Sequence, residues 1–258
     1  MTNRPGFREF ELDLMKAVLD QLIPCLDSMD GELLTLANVE SLPEAQGIYQ
    51  LIHAGNVKYI GKTDADAGLK KRLARHVLKF VNRHNIKPED VHFKAVHIYV
   101  LTAMDVESEL IKYYKSKKIK PEWNGSSFGS NDPGRERETT NKPPDGFDAQ
   151  FPINIDLPVD VVPAGTHTIH EVLWRLKEAL PYAFRYETTK KKSSRAYRTD
   201  PHPDYLSSFI TVPSGEVTVR QLLHQMVTSL PTGWQATAFT SHIILYRESK
   251  IYKHGKRL

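Results

Sequence analysis

The strongest periodic pattern in the chain predicts an amphipathic helix over residues 68–83. Its apolar stripe has helical spacing and consists of Leu69, Leu73, Val77 and Phe80. An adjacent stripe with the same spacing is mostly cationic and consists of Arg72, His76, Lys79 and Arg83. A charged helix face is usually only a solvated surface, whereas a basic edge can also contact the phosphates of a nucleic acid. Lys58 and Lys62 extend the basic region and favour the second interpretation.

Upstream of this helix the pattern becomes typical of strands. Residues 47–53 and 57–61 are rich in β-branched and aromatic residues, and the Ala54-Gly55-Asn56 segment between them has turn chemistry, so we predict a β-hairpin. Tyr49 and Tyr59 lie on its two strands and can face a shared surface. Taken alone, the hairpin leaves a second interpretation open, in which both tyrosines only pack in a core.

The remaining pattern of the first half predicts a helix over residues 8–23 that the following proline ends, a strand over 91–101 and a helix over 104–116. At about 100° per residue, Glu107 falls on the apolar face of the last helix and Glu109 on its polar face. A carboxylate among apolar neighbours costs free energy unless a metal or a cation accompanies it. We therefore assign chemistry to Glu107 rather than to Glu109.

The second half contains an internal repeat with an offset of 50 residues. Val162-Pro163-Ala164-Gly165 matches Val212-Pro213-Ser214-Gly215, and Leu180-Pro181 matches Leu230-Pro231. Each copy predicts a strand, a tight turn, a helix, a Leu-Pro break and a second strand. Two such copies can bury their helices against one sheet, so we expect an α+β domain built from two strand-helix-strand repeats.

Length and composition are compatible with two domains in a chain of 258 residues, which we place at 1–140 and 153–258 with a linker over 141–152. Cys25 is the only cysteine, which excludes an intramolecular disulfide and a Cys-based zinc site. Its apolar surroundings predict a buried, inert thiol. We find neither a signal-peptide pattern nor a membrane-spanning apolar segment, so we expect a cytoplasmic protein without a membrane partner.

The motifs of the first half resemble the GIY-YIG nuclease family. The residues that carry the resemblance occur in the family's order and are Gly47-Ile48-Tyr49, Tyr59-Ile60-Gly61, Arg72 with His76, Glu107 in the pattern E-x-x-L-I, and Asn124 after Trp123. The run from Glu107 to Asn124 is several residues longer than in compact members of the family. The Arg-x-x-x-His helix and the stretch F-G-S-N-D-P-G-R at 128–135 resemble the type II restriction endonuclease branch, whose members cut GC-rich palindromic duplex DNA.

The resemblance implies a small antiparallel sheet flanked by helices and metal-assisted hydrolysis of phosphodiester bonds. In this family the first tyrosine, here Tyr49, is taken as the base that activates water. Tyr59 would orient the water or the phosphate by hydrogen bonding. Arg72 offers a planar fork of donors that suits two phosphate oxygens. Glu107 would hold one Mg²⁺ or Mn²⁺ ion, and water and phosphate would complete its octahedral coordination.

Three further residues have supporting roles in this scheme. His76 would contact the phosphate or relay a proton, and Lys62 would do similar electrostatic work. Asn124 would orient the surroundings of Glu107 or cap a turn. A purely structural role for Lys62 and for Asn124 remains open.

Contacts to DNA are expected from basic residues outside the motif, namely Lys79, Arg83, Arg135, Lys190, Lys191, Lys192, Arg195 and Arg198. For Arg135, shaping its own loop is an equal alternative. The basic segment between the two repeats could also be only a flexible loop, although Tyr197 beside it could stack on a base.

The predicted function is a divalent-metal-dependent DNA endonuclease, most simply a restriction enzyme. Double-stranded DNA is then the substrate, and a homodimer is expected because cutting both strands of a palindrome needs two active sites. A cognate DNA methyltransferase would be its functional partner. Two alternatives stay open: a structure-specific repair or mobile-element nuclease, and a non-catalytic DNA-binding or protein-interaction module on a nuclease scaffold.

Overall fold

The computed structural model describes residue 6 and residues 9–63, 67–99, 106–125, 128, 136–189 and 196–258. Over these residues the fold is mixed α+β with small, mainly antiparallel sheets, which confirms the predicted class. The chain forms two compact units: Met1–Ala74 with Pro88–Pro121, and Arg75–Lys87 with Glu122–Leu258. None of the helices in the described ranges has the length and hydrophobicity of a transmembrane segment.

The first unit is built on one antiparallel sheet. Its strands are β1 (Glu32–Leu33), β2 (Gly47–His53), β3 (Asn56–Thr63) and β4 (Val91–His97). They lie in the order β1-β4-β2-β3, so β3 forms one edge. The helical segments of this unit are α1 (Leu14–Ser28), α2 (Leu36–Glu40), the first half of α3 (Gly68–Val81), a 3₁₀ turn (Pro88–Asp90) and α4 (Val106–Ser116).

The predicted hairpin is formed by β2 and β3, which pair with Tyr49 directly opposite Gly61. Ala54 and Gly55 between the strands both have positive φ, a turn conformation that matches the right-handed twist of paired strands. Side chains alternate between the two faces of a strand, so Tyr49, Tyr59 and Gly61 share one face of the sheet. This confirms that the hairpin places both tyrosines on the same face.

Helix α1 differs from its predicted course because it runs through the proline that was expected to end it. Pro24 lies inside the helix, which continues for about one more turn. A proline removes one backbone hydrogen bond, but Leu22, Ile23 and Leu26 around it are buried in one core and hold the helix in place. Cys25 lies outside this buried stripe and is exposed, so the prediction of a buried thiol is wrong.

The second unit contains more strands and several short helices. Its strands are β5 (Pro158–Val159), β6 (Gly165–Thr168), β7 (Ala183–Tyr186), β8 (Phe209–Val212), β9 (Val217–Thr218), β10 (Trp234–Ala238), β11 (His242–Arg247) and β12 (Lys256–Arg257). Its helices are the end of α3, α5 (Glu136–Thr139), α6 (Gly146–Gln150), α7 (Ile169–Ala179), α8 (Ala196–Thr199), α9 (Pro203–Ser207) and α10 (Val219–Ser229). One sheet has the order β12-β10-β11-β7 with β7 parallel to β11, and β5-β9 and β6-β8 form separate antiparallel pairs.

The internal repeat predicted from the sequence is visible in this unit. The first copy contains β5, β6, α7 and β7, and the second contains β8, β9, α10 and β10. Thr168 and Thr218 occupy the same position in the two copies, and each caps its helix by accepting a hydrogen bond from a first-turn amide. The apolar seams of α7 and α10 are buried in one common core. Both copies therefore start and bury their helix in the same way.

Residues 141–152, which were predicted to link the two domains, are instead part of the second unit. Helix α6 lies within that segment and buries the side chains of Phe147 and Asp148. Phe147 packs with four other aromatic side chains of the second unit, namely Phe80, Trp123, Phe128 and Phe151. This aromatic cluster joins the end of α3 to the segment that begins at Glu122, because aromatic rings bury large apolar areas.

The aromatic cluster should contribute strongly to the stability of the second unit. Replacing buried Phe147 by alanine should lower the free energy of unfolding by about 3–5 kcal/mol, because the ring leaves a cavity. Phe10, which is 85% exposed, is the matched control, and Phe10→Ala should change stability by less than about 0.5 kcal/mol. Urea denaturation followed by circular dichroism measures both variants. Equal effects of the two substitutions would contradict the burial of Phe147.

Candidate active site

The Tyr49 ring packs directly against the backbone of Gly61 on the neighbouring strand. A Cβ atom at residue 61 would lie 2.4 Å from both Cζ and Oη of Tyr49, and 2.7 Å from Cε1 of Tyr59. Real Cβ atoms do not approach other atoms so closely, so a side chain at this position would displace both phenols. Glycine at residue 61 is therefore a steric requirement for the observed tyrosine pair.

A second glycine lets helix α3 approach the same face of the sheet. A Cβ atom at Gly47 would lie 2.3 Å from the carbonyl oxygen of Val96 and 2.8 Å from Cδ1 of Leu69. Leu69, in the first turn of α3, is buried at this point of contact. Because α3 is anchored here, Arg72 lies one turn further along the helix and reaches the hairpin.

Arg72 joins the helix to the tyrosine pair. Its Nε–H donates a hydrogen bond of 3.3 Å to Oη of Tyr49. The rings of Tyr49 and Tyr59 lie 6.0 Å apart at an interplanar angle of 42°, and the guanidinium interacts with both phenols. Side chains from β2, β3 and α3 thus converge on one cationic group.

The electrostatics of this cluster favour neutral phenols. Burial raises the pKa of Tyr49 well above its ordinary value, and the neighbouring Tyr59 adds to the shift, while Arg72 opposes it. Burial also raises the pKa of Tyr59, with Arg72 again acting in the opposite direction and Glu107 adding to the increase. At neutral pH both tyrosines are therefore protonated in this state of the protein.

Glu107 brings a negative charge to the same cluster from helix α4. It lies in the first turn of the helix and is half-buried between Val106 and Leu110, which are fully buried. Its carboxylate is close enough to Tyr59 to raise the pKa of that phenol. Glu109 is also half-buried, but it forms an ion pair of 2.5 Å with exposed Lys112. The predicted difference in burial between the two acids is therefore not observed, because both are half-buried, and they differ instead in their partners.

Lys62, a predicted supporting residue, does not share the tyrosine face. Strand alternation puts it on the same face as Ile60, which is buried against α1 and α4. Lys62 is exposed and lines a small cavity of about 50 Å³ together with Ile98 and Val106. Its charge therefore lies on the opposite side of β3 from Tyr59.

His76 and Asn124, the other predicted supporting residues, belong to the second unit. His76 is only 4% exposed, and its ring stacks on Phe128 at 4.9 Å and 14°. Asn124 is half-buried in a turn directly after the buried Trp123. The contacts of His76 are thus those of an aromatic core residue rather than those of a group facing solvent.

Lys79 and Arg83, both predicted to contact DNA, are also used inside the second unit. Lys79 donates to the carbonyl oxygen of Phe128 and lies over its ring at 4.6 Å. The Arg83 side chain is 3% exposed, forms an ion pair of 2.8 Å with Asp148, and donates to the carbonyl oxygen of Phe151. As the chain is folded, Arg83 is not accessible to a phosphate. Asp148 is distant in sequence, so helical periodicity could not reveal this ion pair.

The other predicted DNA contacts give less information. Arg135, Lys190, Lys191, Lys192 and Arg195 lie outside the described residues. Arg198 is exposed, lies over the Trp174 ring at 4.7 Å, and forms an ion pair of 2.5 Å with Glu178. Tyr197, which was expected to stack on a base, donates a hydrogen bond to the same carboxylate. Glu178 therefore neutralises part of this basic surface.

A divalent cation was expected at Glu107. The carboxylate there can bind such a cation only if other ligands come from water and substrate. Within the described ranges no group of three or more His, Cys, Asp or Glu side chains could jointly hold a metal. Mg²⁺ is commonly bound through one or two carboxylates, with water and substrate phosphate as the other ligands. Glu107 therefore suits a cation that arrives with a phosphate, and does not suit a permanent all-protein cage.

The buried ion pair between Asp148 and Arg83, which lies two residues after the end of α3, should matter for stability rather than for DNA affinity. Asp148→Ala leaves the buried Arg83 guanidinium without its counter-ion, so the free energy of unfolding should fall by about 3–5 kcal/mol. Asp145, three residues earlier, is a matched control because its ion pair with Lys142 is exposed, and Asp145→Ala should cost at most about 1 kcal/mol. Thermal and urea denaturation measure the difference, and similar losses in both variants would contradict this role of Arg83.

The structure brings four predicted residues together in the first unit, namely Tyr49, Tyr59, Arg72 and Glu107. No protein-family model matches the chain, and no curated protein sequence matches it either. The chemistry of the site therefore has to be inferred from its own side chains.

Proposed function

We propose that the protein is a divalent-metal-dependent endonuclease of the GIY-YIG type that hydrolyses phosphodiester bonds in double-stranded DNA. The observation that carries this proposal is the convergence of Arg72, two phenols and Glu107 at the edge strand β3, although they come from four separate elements. A cationic hydrogen-bond donor and a carboxylate that can hold a metal ion are groups that stabilise the charge developed in phosphodiester hydrolysis, and the two phenols can act as hydrogen-bonding or proton-accepting groups. The order of the motifs along the chain supports the same family.

Each residue has a role in this proposal, and the surroundings favour the roles of Arg72 and Tyr59 but oppose ionisation of Tyr49. Arg72 donates its Nε–H to the hydroxyl of Tyr49. Because a guanidinium has five donor hydrogens, Arg72 can contact a phosphate at the same time. Tyr59, which is 5% exposed against 0% for Tyr49, lies nearer the surface and would orient the incoming phosphate or water. Tyr49 would accept the proton of the attacking water, which requires its phenol to lose a proton first.

The carboxylate of Glu107 would hold the divalent cation, Mg²⁺ or Mn²⁺. When bound there, the cation would supply Lewis-acid assistance to the leaving oxygen and a positive charge near the phenols. Positive charge beside a phenol favours its ionised form, so it would oppose the effect of burial on Tyr49. Arg72 already acts in this direction, but burial outweighs it.

Within this chemistry, we propose a type II restriction enzyme that works as a homodimer beside a cognate DNA methyltransferase. The products of DNA cleavage by the purified protein distinguish a restriction enzyme from a structure-specific repair nuclease. Discrete fragments from linear unmethylated duplex DNA support restriction, whereas cleavage confined to flaps or branches supports repair. Binding of duplex DNA without cleavage in Mg²⁺ or Mn²⁺ supports the non-catalytic alternative.

Substituting Glu107 tests the proposed activity directly. With Mg²⁺ and unmethylated plasmid or phage DNA, Glu107→Gln should reduce cleavage by a factor of at least about 10², because the cation loses its only proposed protein carboxylate. Glu109→Gln is the control in the same helical turn and should retain near wild-type cleavage, since Glu109 is paired with Lys112. Gel electrophoresis of the products measures both. Full cleavage by Glu107→Gln would contradict the assignment.

The pH dependence of cleavage tests the role of Tyr49. Since the pKa of Tyr49 is raised, its phenolate fraction increases with pH throughout the neutral range, so kcat/KM should rise about tenfold per pH unit between about pH 6 and pH 9. Tyr49→Phe should lose both the activity and this slope. A plateau below about pH 8 in the wild-type protein, at saturating cation, would show that a different group acts as the base.

A further inference from the structure

A cavity of about 290 Å³ is lined by residues of the second unit. Its walls come from three segments of the chain: residues 140–148, which lead into α6, residues 239–242 at the turn between β10 and β11, and His254 shortly before β12. Pockets that bind small molecules measure roughly 300–1,000 Å³, so this cavity has the size for one small ligand.

Hydrogen bonds join the three walls to one another. The buried Arg83 guanidinium donates to Oδ1 of Asp148 at 2.8 Å in the first wall and to the carbonyl oxygen of Thr240 at 3.3 Å in the second. His254 in the third wall donates from Nε2 to the carbonyl oxygen of Asn141, in the first wall, at 3.2 Å. The cavity is therefore preformed, which lowers the entropy that binding a ligand would cost.

The lining of the cavity combines apolar surfaces with hydrogen-bonding groups. Apolar contact is offered by the Phe239 ring and by Pro143 and Pro144. The Phe239 ring is held in place because it stacks on the buried His242 ring at 4.5 Å and 3°. The hydrogen-bonding side chains are those of Thr140, Lys142, Asp145, Asp148, Thr240, Ser241, His242 and His254. An aromatic wall beside polar groups suits a flat ring with polar edges.

Each carboxylate of the lining is matched by a cation. Asp145 forms an ion pair of 2.8 Å with Lys142, and Asp148 forms one of 2.8 Å with Arg83. A charged ligand would have to leave water without a counter-ion or displace one of these pairs, which costs free energy. The cavity therefore favours an uncharged ligand.

The carboxylates also determine which polar groups such a ligand must carry. An ionised carboxylate only accepts hydrogen bonds and has about four acceptor positions, so Asp145 and Asp148 can accept from a ligand as well as from their cations. A matching ligand is flat, uncharged and rich in N–H donors. A nucleobase with an exocyclic amino group meets these conditions, whereas thymine and uracil present a carbonyl oxygen where cytosine has its amino group.

We propose that this cavity binds one nucleobase with an exocyclic amino group, and that Asp145 and Asp148 accept hydrogen bonds from its N–H donors while Phe239 and the two prolines contact the ring. The base belongs either to a free nucleoside or to a DNA strand from whose stack it is extruded, since both present the same ring. The inference goes beyond the proposed function, because binding of a nucleoside requires neither a divalent cation nor DNA cleavage.

Two matched pairs of nucleosides test the proposal. Isothermal titration calorimetry of the full chain should show saturable binding of deoxycytidine and at least about tenfold weaker binding of deoxyuridine, whose carbonyl oxygen would face a carboxylate. Deoxyguanosine should likewise bind more tightly than deoxyinosine, which lacks only the amino group. Equal affinity within both pairs, or no binding of any of the four at about 10 mM, would overturn the proposal.

Filling the cavity tests where the nucleoside binds. Pro144 is exposed and lines the cavity, so Pro144→Trp places a large ring there without opening the core, and deoxycytidine affinity should fall at least about tenfold. Pro231, an exposed proline outside this lining, provides the matched control, and Pro231→Trp should bind as the wild-type protein does. Melting curves by circular dichroism verify that both variants are folded. Unchanged binding in Pro144→Trp would show that the cavity is not the site.

Asp145→Asn tests the assignment of the acceptors. The amide replaces part of the acceptor capacity by donors, so the preference for deoxycytidine over deoxyuridine should shrink by about tenfold. A merely structural role of Asp145 would weaken both nucleosides alike and leave the preference unchanged. The ion pair of Asp145 with Lys142 is exposed, so the variant should remain folded.

Single-stranded oligo(dC), added in EDTA so that no strand is cleaved, distinguishes the two sources of the base. Displacement of bound deoxycytidine by the oligonucleotide supports the proposal and assigns the site to a base within a DNA strand. Binding of deoxycytidine that oligo(dC) does not displace supports the proposal and assigns the site to a free nucleoside. Both results are independent of endonuclease activity, so a failure of the proposed function and a failure of this inference are separate observations.

Discussion

The contact between the Tyr49 ring and the backbone of Gly61 is the constraint on which the first unit depends. It leaves no space for a Cβ atom, so the Tyr49 and Tyr59 rings can keep their observed positions only with glycine at residue 61. The contact brings the phenol within hydrogen-bond distance of Arg72. A similar steric requirement at Gly47 lets α3 approach the sheet closely enough to deliver that guanidinium.

The same close packing determines the electrostatics of the site. Burial raises the pKa of both phenols, and Arg72 alone does not reverse this for Tyr49. The tyrosine that the proposed reaction needs as a base is therefore held neutral by the fold. Activity would then depend on positive charge added near the phenols, which makes the position of Glu107 and of helix α4 decisive.

The basic stripe predicted over residues 68–83 shows that residues of one stripe can have different roles, and its last member, Arg83, lies two residues after the end of α3. Arg72 contributes to the tyrosine cluster of the first unit, whereas Lys79 and Arg83 are bound within the aromatic cluster of the second. Long basic side chains can pack along apolar surfaces as well as face solvent, so helical spacing alone does not distinguish these roles. Asp148 distinguishes them here, because a buried guanidinium needs a counter-ion and Arg83 has one.

The sequence by itself determined the local features of this protein. Alternation and turn residues predicted the hairpin, periodicity predicted α3 and α4, and the repeated segments predicted two corresponding helices, because these features depend on neighbouring residues. Only the tertiary structure decided which charges are buried, that α1 continues through Pro24, and that Cys25 is exposed. Those outcomes depend on contacts between residues far apart in the chain, and burial and pairing energies there outweigh local preference.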